Sequence, residues 1–306
     1  MCKKANRYYL AMLLFVLAAS FATAIMQSSG VELPYWFAMN ETYIVMLIPT
    51  VIFMCIAGIN PKKKLPFKAL KPLDILLSIL YGYMLVPMMV FLNFVSMFFV
   101  ENHLQEPTVD LIYQYPFVVQ LIIMALIPGI VEEFIFRGLI YHSHRKNGIL
   151  GAALLSALCF AMLHLNFNQF NYALILGVAL ALIVESTSSL YSSMLAHTAL
   201  NSFSIIMINL MPEDMMAESN EVMQNLSRSQ MMASNIMTAV VWGMLAFGFG
   251  AIAVVICKKL AKRNNRYEYM KLKISQGVHA VNGEKFVTAP LIIAMVICFG
   301  FMMLLQ

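Results

Sequence analysis

Apolar runs of about 20 residues recur from one end of this chain to the other, each bounded by a short polar or charged stretch. The runs are continuous in Leu, Ile, Met and Phe. Helices that are apolar on all sides have this pattern; the strands of a membrane barrel alternate instead. A hydrocarbon layer about 30 Å thick takes ~20 helical residues. The pattern therefore predicts spans at about 8–26, 41–59, 74–100, 116–140, 149–165, 170–184, 189–211, 236–257 and 288–305. The expected fold is all-α, a polytopic transmembrane helix bundle of about eight or nine spans, with residues 1–306 as one integral-membrane domain. Ala22-Thr23-Ala24 resembles a signal-peptidase site. The apolar stretch before it is longer than a signal h-region of roughly 7–15 residues, so an uncleaved first helix is expected.

Composition supports the same class. Of 306 residues, 61% are hydrophobic and 11% charged, whereas a soluble domain carries about 25% charged residues. The five cysteines (Cys2, Cys55, Cys159, Cys257, Cys298) include no CxxC pair and imply no disulfide framework.

Charge then orients the bundle. The net charge of +5 does not point to nucleic acid, because the basic residues are loop residues that set topology. With the N-terminus in the cytoplasm, 19 of the 20 Lys and Arg fall on cytoplasmic segments and only Arg228 falls outside, as the positive-inside rule requires. A multi-pass protein of the cell (plasma) membrane is expected, with the lipid bilayer as its surroundings. The basic stretch 258–287 reads as a solvated cytoplasmic segment near anionic lipid. The Met-rich stretch 212–235 reads as an outer loop with an interfacial helix.

Few polar residues lie inside spans, and they form three clusters. Glu132, Glu133 and Arg137 lie in the fourth span, His164 ends the fifth, and His197 and Asn201 lie in the seventh. Charges at such depth are rare and are functional-site candidates by default. Glu133 and Arg137 are four apart and share a helix face in the favourable order for an ion pair. Glu132 is rotated from Glu133 by about 100°, which leaves it free to point into the bundle. Phe160 and His164, and His197 and Asn201, repeat the four-residue spacing. Pro128-Gly129, one turn before the carboxylates, is expected to kink the helix.

A carboxylate and an imidazole in a wet cavity can activate water. An Asn amide and a second imidazole can donate to the oxyanion of a tetrahedral intermediate. No Ser, Cys or Lys sits in the clusters as a nucleophile, so water attack is the natural scheme. Each cluster alone has a plainer reading: a helix-end ion pair, a satisfied core histidine, interhelical hydrogen bonding. Three in order within about seventy residues argue for a site. His142, His144 and Arg145 read as a solvated cytoplasmic loop, Glu185 as part of a short cytoplasmic turn, and Asn166, Asn168, Gln169 and Asn171 as a polar turn.

The order Glu-Glu-x-x-x-Arg, Phe-x-x-x-His, His-x-x-x-Asn, together with Thr187, Ser189 and Leu190 as Thr-x-Ser-Leu, resembles the CAAX protease and bacteriocin-processing (CPBP, Abi) family, which includes the type II CAAX prenyl endopeptidases. The resemblance covers a core at about 116–211, with 1–115 and 212–306 as additional membrane helices and loops. It implies an intramembrane endopeptidase of the glutamic type acting on a membrane-associated peptide or protein. In it Glu132 and His164 would activate water, His197 and Asn201 would stabilise the oxyanion, and Glu133, Arg137 and Phe160 would support the site. No metal or other cofactor is required. Zinc held by Glu132, His164 and His197 is the alternative, although no HExxH is present. A departure is Glu185, where the family often has Arg or Lys. The main competing reading is a non-catalytic immunity or scaffold protein of the same family; a transporter is a weaker third. Counting along straight helices sets Glu132 and His197 about 12 Å from the cytoplasmic ends and His164 about 20 Å, so the catalytic reading requires that offset to close.

Overall fold

The computed structural model describes residues 1–100, 115–211, 227–277 and 285–304. Helices follow the apolar runs: α1 (Cys2–Ser28), α2 (Tyr35–Ala57), the single turn α3 (Pro61–Lys64) and α4 (Pro72–Ser96). Next come a composite helix α5 (Phe117–Asn147), α6 (Ile149–Leu163), α7 (Phe167–Thr187) and α8 (Leu190–Leu210). The described chain ends with α9 (Arg228–Arg263), α10 (Tyr267–Ser275) and α11 (Ala289–Leu304). Seven of the described helices are long and apolar enough to cross a membrane, and α6 and α11 are shorter apolar helices. The fold is the expected all-α polytopic bundle of an integral membrane protein. Among the described residues the only β pairing is one isolated bridge, Phe67 with Ser189. All five cysteines are free.

Two large packed clusters dominate the interior, with smaller ones beside them. One joins α1, α2, α5, α6 and α11 through Tyr9, Met46, Ile135, Phe136, Phe160 and Cys298. The other joins α4, α7, α8 and α9 through Tyr81, Leu176, Ala196 and Ile256. Tyr172 of α7 packs against both, and α8 crosses to α5 between them. Buried tyrosines tie the helices together: Tyr9 donates to the Cys159 carbonyl at 2.8 Å and Tyr81 to the Ala179 carbonyl at 3.0 Å. Lipid tails are as apolar as leucine, so small residues that allow close approach matter more than apolar area. At Gly82, a Cβ would lie 2.1 Å from the Ala196 carbonyl oxygen of α8. Gly82→Ala is expected to force α4 and α8 apart, at a cost of about 1–3 kcal/mol, read as a lower melting temperature of the detergent-solubilised protein.

One end of the bundle gathers the segments that the charge count assigns to a single side. Arg263 Nε donates to Asp74 Oδ1 at 2.8 Å. The Leu190 N–H donates to the Pro66 carbonyl at 2.7 Å, and Asn6 Nδ2 donates to the Phe286 carbonyl at 3.1 Å. Three expectations at this end need correction. The fourth span continues as helix to Asn147, with His144 fully buried, its Nδ1–H on the Ile140 carbonyl at 2.8 Å and its ring against Phe286. Glu185 lies within α7 and is 2% exposed, not in a solvated turn. The stretch from 258 is not a simple solvated loop: α9 runs to Arg263 and α10 packs beside α6, α7 and α9. In each case a buried partner replaces water, which a count of charges cannot register. Of the Met-rich stretch, 212–226 lies outside the described residues, and the remainder opens α9 behind a capping box of Ser227 and Gln230.

Candidate active site

The site is built on α5, whose backbone is not uniform. It is α-helical from Phe117, π-helical over Ile122–Leu126, α-helical over Ile127–Glu133 and π-helical again over Phe134–Tyr141. The expected disturbance at Pro128-Gly129 takes this form. A proline ring crowds the carbonyl four residues earlier, and the wider π turn ending at Leu126 gives it room. Such π segments often mark functional sites. Gly129 serves the opposite helix. A Cβ there would meet Thr198 Oγ1 at 2.4 Å and the Thr198 nitrogen at 3.0 Å, so its absence lets α8 lie directly on the carboxylate-bearing turn.

The close approach brings His197 between both glutamates. Its Nδ1–H donates to Glu133 Oε1 at 2.9 Å, and its Nε2 lies 3.6 Å from Glu132 Oε2. The same Glu133 oxygen accepts from Arg137 Nη1 at 2.6 Å. The i,i+4 pair read from spacing is therefore present, and His197 adds a second donor. Glu133 and Arg137 are fully buried, and Glu132 and His197 are 8% and 5% exposed. Glu132 has no hydrogen bond to a side chain among the described residues; Tyr43 of α2 and Tyr172 of α7 lie near enough to feel its charge.

Phe160 of α6 connects the rest. Arg137 stacks over its ring at 4.6 Å, and the imidazoles of His164 and His197 meet it edge-on at 4.8 and 5.9 Å between centroids. His164 and His197 thus meet the same phenyl ring. His164, half-buried at the C-terminus of α6, donates Nδ1–H to the Phe160 carbonyl at 2.9 Å. In the neutral ring this tautomer leaves Nε2 as the base, as hydrogen bonding at one ring nitrogen defines the other. Six of the seven expected residues are therefore linked by direct contacts. Asn201 lies one turn beyond His197 on α8, half-buried and without a hydrogen bond among the described residues. No three His, Cys, Asp or Glu side chains converge as a metal-ligand set among the described residues.

Several supporting residues are not apparent from spacing. Tyr43 and Tyr172 are two. Ser156 is another; its hydroxyl donates to the Phe136 carbonyl at 2.7 Å within the second π segment. Their only signal in sequence is a hydroxyl in an apolar run. Thr187 and Ser189 shape the start of α8. Ser188 has positive φ, the Ser189 N–H donates to Thr187 Oγ1 at 3.1 Å, and Ser189 Oγ donates to the Lys68 carbonyl at 2.5 Å. This straps the segment at Phe67 over Phe134, ring centroids 6.2 Å apart. Of the polar turn before α7, Asn166 caps the helix by accepting from the Gln169 N–H at 3.0 Å, and Asn168 is buried.

Residues 114–203 match the family model described as type II CAAX prenyl endopeptidase Rce1-like. No curated protein and no solved structure matches the chain. The matched range holds all three polar clusters and the α8 side of the strap, Thr187–Leu190. The segment that carries the site is thus similar to the Rce1-like type II CAAX prenyl endopeptidases, a likeness that supports a CAAX-type membrane protease at family level.

Proposed function

We propose that the protein is an intramembrane endopeptidase that hydrolyses a peptide bond of a membrane-associated peptide or protein, using water activated by Glu132 and His164 without a metal. The observation that carries this reading is the seat of His197 between two carboxylates of different kind. Glu133 is held by Arg137 and His197, whereas Glu132 is held by no side-chain donor among the described residues and faces the imidazole at 3.6 Å. That gap is beyond a good hydrogen bond and suits a group that works through a reacting atom or water.

In this scheme the water oxygen attacks the scissile carbonyl and its proton passes to Glu132, with His164 Nε2 as the second acceptor. The oxyanion accepts from the Asn201 amide and from Nε2–H of His197 in its imidazolium form, which Glu133 orients through Nδ1–H. Collapse of the intermediate returns the proton from Glu132 to the leaving amine. Arg137 keeps Glu133 ionised as an acceptor for His197. The end of the bundle that collects the basic segments would face the cytoplasm of a cell with this protein in its plasma membrane. The substrate would enter from that half of the bilayer.

The test is a comparison of membrane peptides from cells carrying wild-type protein and cells carrying Glu132→Ala at equal abundance. New C-termini that appear only with the wild type are expected. Identical peptide sets would refute hydrolysis and favour an immunity or scaffold role, which Glu132→Gln should then fulfil as well as wild type. Stoichiometric zinc in purified protein, with chelator-sensitive cleavage restored by zinc, would replace the metal-free scheme.

A further inference from the structure

Glu185, the residue that departs from the family pattern, occupies a site of its own at the end of α7. Its Oε2 accepts from Tyr141 Oη at 2.8 Å and from Arg145 Nε at 3.1 Å. Its Oε1 accepts from Arg145 Nη2 and Arg266 Nη2, and its backbone carbonyl accepts from Arg266 Nε at 3.1 Å. Arg266 also lies over the Tyr269 ring at 4.0 Å. One buried carboxylate thus joins three elements: the far end of α5, the end of α7 and the corner between α9 and α10. Burying an ion cluster is weak evidence for added stability, because desolvation offsets the attraction; fixing register is its best-attested use.

The register at issue is that of α5. Tyr141 is the last residue of the π segment that begins directly after Glu133, and Arg145 lies one turn later. Relaxation of a π turn to α geometry displaces the residues beyond it by one position, a rotation of about 100° and a shift of about 1.5 Å. Such a change would rotate Tyr141 and Arg145 relative to Glu132 and Glu133. Both cannot keep their partners unless the π segment persists. At its near end the segment is held by Glu133, Arg137 and His197, and in its middle by Ser156 on the Phe136 carbonyl. At its far end Glu185 holds Tyr141 and Arg145.

We propose that Glu185 is a positioning residue. By pinning Tyr141 and Arg145 it holds the π register of α5, and through that register sets the angle at which Glu132 and Glu133 face His197. This inference rests on the proposed hydrolysis for its kinetic consequence, but not for its structural one. Nothing about the pin depends on substrate contact.

The experiment uses the full chain in lipid nanodiscs, with wild type, Glu185→Gln, Tyr141→Phe and the double variant. Tyr141→Phe keeps the ring and every charge, so it tests the pin even where loss of the carboxylate prevents folding. Amide hydrogen exchange over 134–141 is expected to accelerate about tenfold in both single variants, with exchange over 72–96 unchanged. With a peptide substrate, kcat per folded molecule should fall about 10- to 100-fold with KM within about twofold. The double variant should be little worse than Glu185→Gln, since the two act through one contact. Unchanged exchange over 134–141 in Tyr141→Phe, or accelerated exchange with wild-type kcat, would overturn the proposal, as would losses that only track the amount of folded protein. A wild type that cleaves nothing while exchange responds as expected would refute the hydrolytic reading and leave the pin standing.

Discussion

Replacing His164 by alanine is expected to lower peptide hydrolysis by about 10²- to 10⁴-fold, the range for loss of a positioned general base, while folded protein accumulates as in wild type. The separation of the two effects comes from how His164 is held. It stands at the C-terminus of α6 and is half-buried. Among the described residues its side-chain hydrogen bond is the Nδ1–H bond to the Phe160 carbonyl, and its ring contact is with Phe160. Loss of the imidazole frees one carbonyl at a helix end, where water or a tightened last turn can satisfy it. The phenyl ring keeps Arg137, Phe136 and His197. Little of the bundle depends on His164, so a large kinetic loss would locate it in the reaction. Initial rates measured at equal amounts of monodisperse protein check this. Cleavage within about twofold of wild type would remove His164 from the water-activating pair and leave Glu132 alone in that role. His164→Gln provides a control. An amide fills similar space and can donate to the same carbonyl, but is not a base, so its rate should resemble that of the alanine variant.

The sequence makes the helices and the chemistry visible to different extents. Spans are legible because a run of twenty apolar residues would be insoluble as a surface helix and is longer than most buried ones. The observed helices begin and end within a few residues of most expected bounds. The Glu133–Arg137 pair is legible because it is local: four residues define one helix face wherever the helix lies. That Glu132 stands apart from this pair comes from the same rotation. Glu185 is misread because its partners, Tyr141, Arg145 and Arg266, lie 44, 40 and 81 residues away, and a charge beside a helix end is ordinarily solvated. The same applies to His144, which reads as a loop residue beside Arg145 and Lys146 until the π segment carries α5 to Asn147. The π turns are invisible in composition, since the contacts that accompany the second of them, Ser156 on the Phe136 carbonyl and Glu185 on Tyr141, come from residues distant in sequence. The depth of His164 is hidden for a related reason. Counting at 1.5 Å per residue along straight, parallel helices takes no account of side-chain contacts between α6 and α5 such as that of Phe160 with Phe136.

Arg137→Met should behave in the opposite way from His164→Ala and prevent the protein from accumulating in folded form. Arg137 and Glu133 are both fully buried, and the guanidinium rests on Phe160. Removing the cation leaves a buried carboxylate with the Nδ1–H of His197 as a remaining donor, and breaking a buried pair from one side costs about 3–5 kcal/mol. That is a large part of the ~5–15 kcal/mol by which folded domains are usually stable. Methionine fills much of the volume, so the loss would be electrostatic more than a matter of packing. The discriminating variant is Glu133→Gln with Arg137→Met. It removes both charges and leaves His197 a neutral acceptor for Nδ1–H. Size-exclusion profiles of membrane extracts should show little monodisperse Arg137→Met protein and a clear partial recovery in the double variant, with a coupling of about 0.5–3 kcal/mol in melting experiments. Recovery of the fold should not restore hydrolysis, because an amide orients the imidazole without supporting its charged form. If the single variant accumulates normally, the ion pair is not what holds the second π segment of α5 in place. The Nε and Nη2 groups of Arg137, which have no hydrogen-bond partner within the described chain, would then point to solvation of the guanidinium by water inside the bundle.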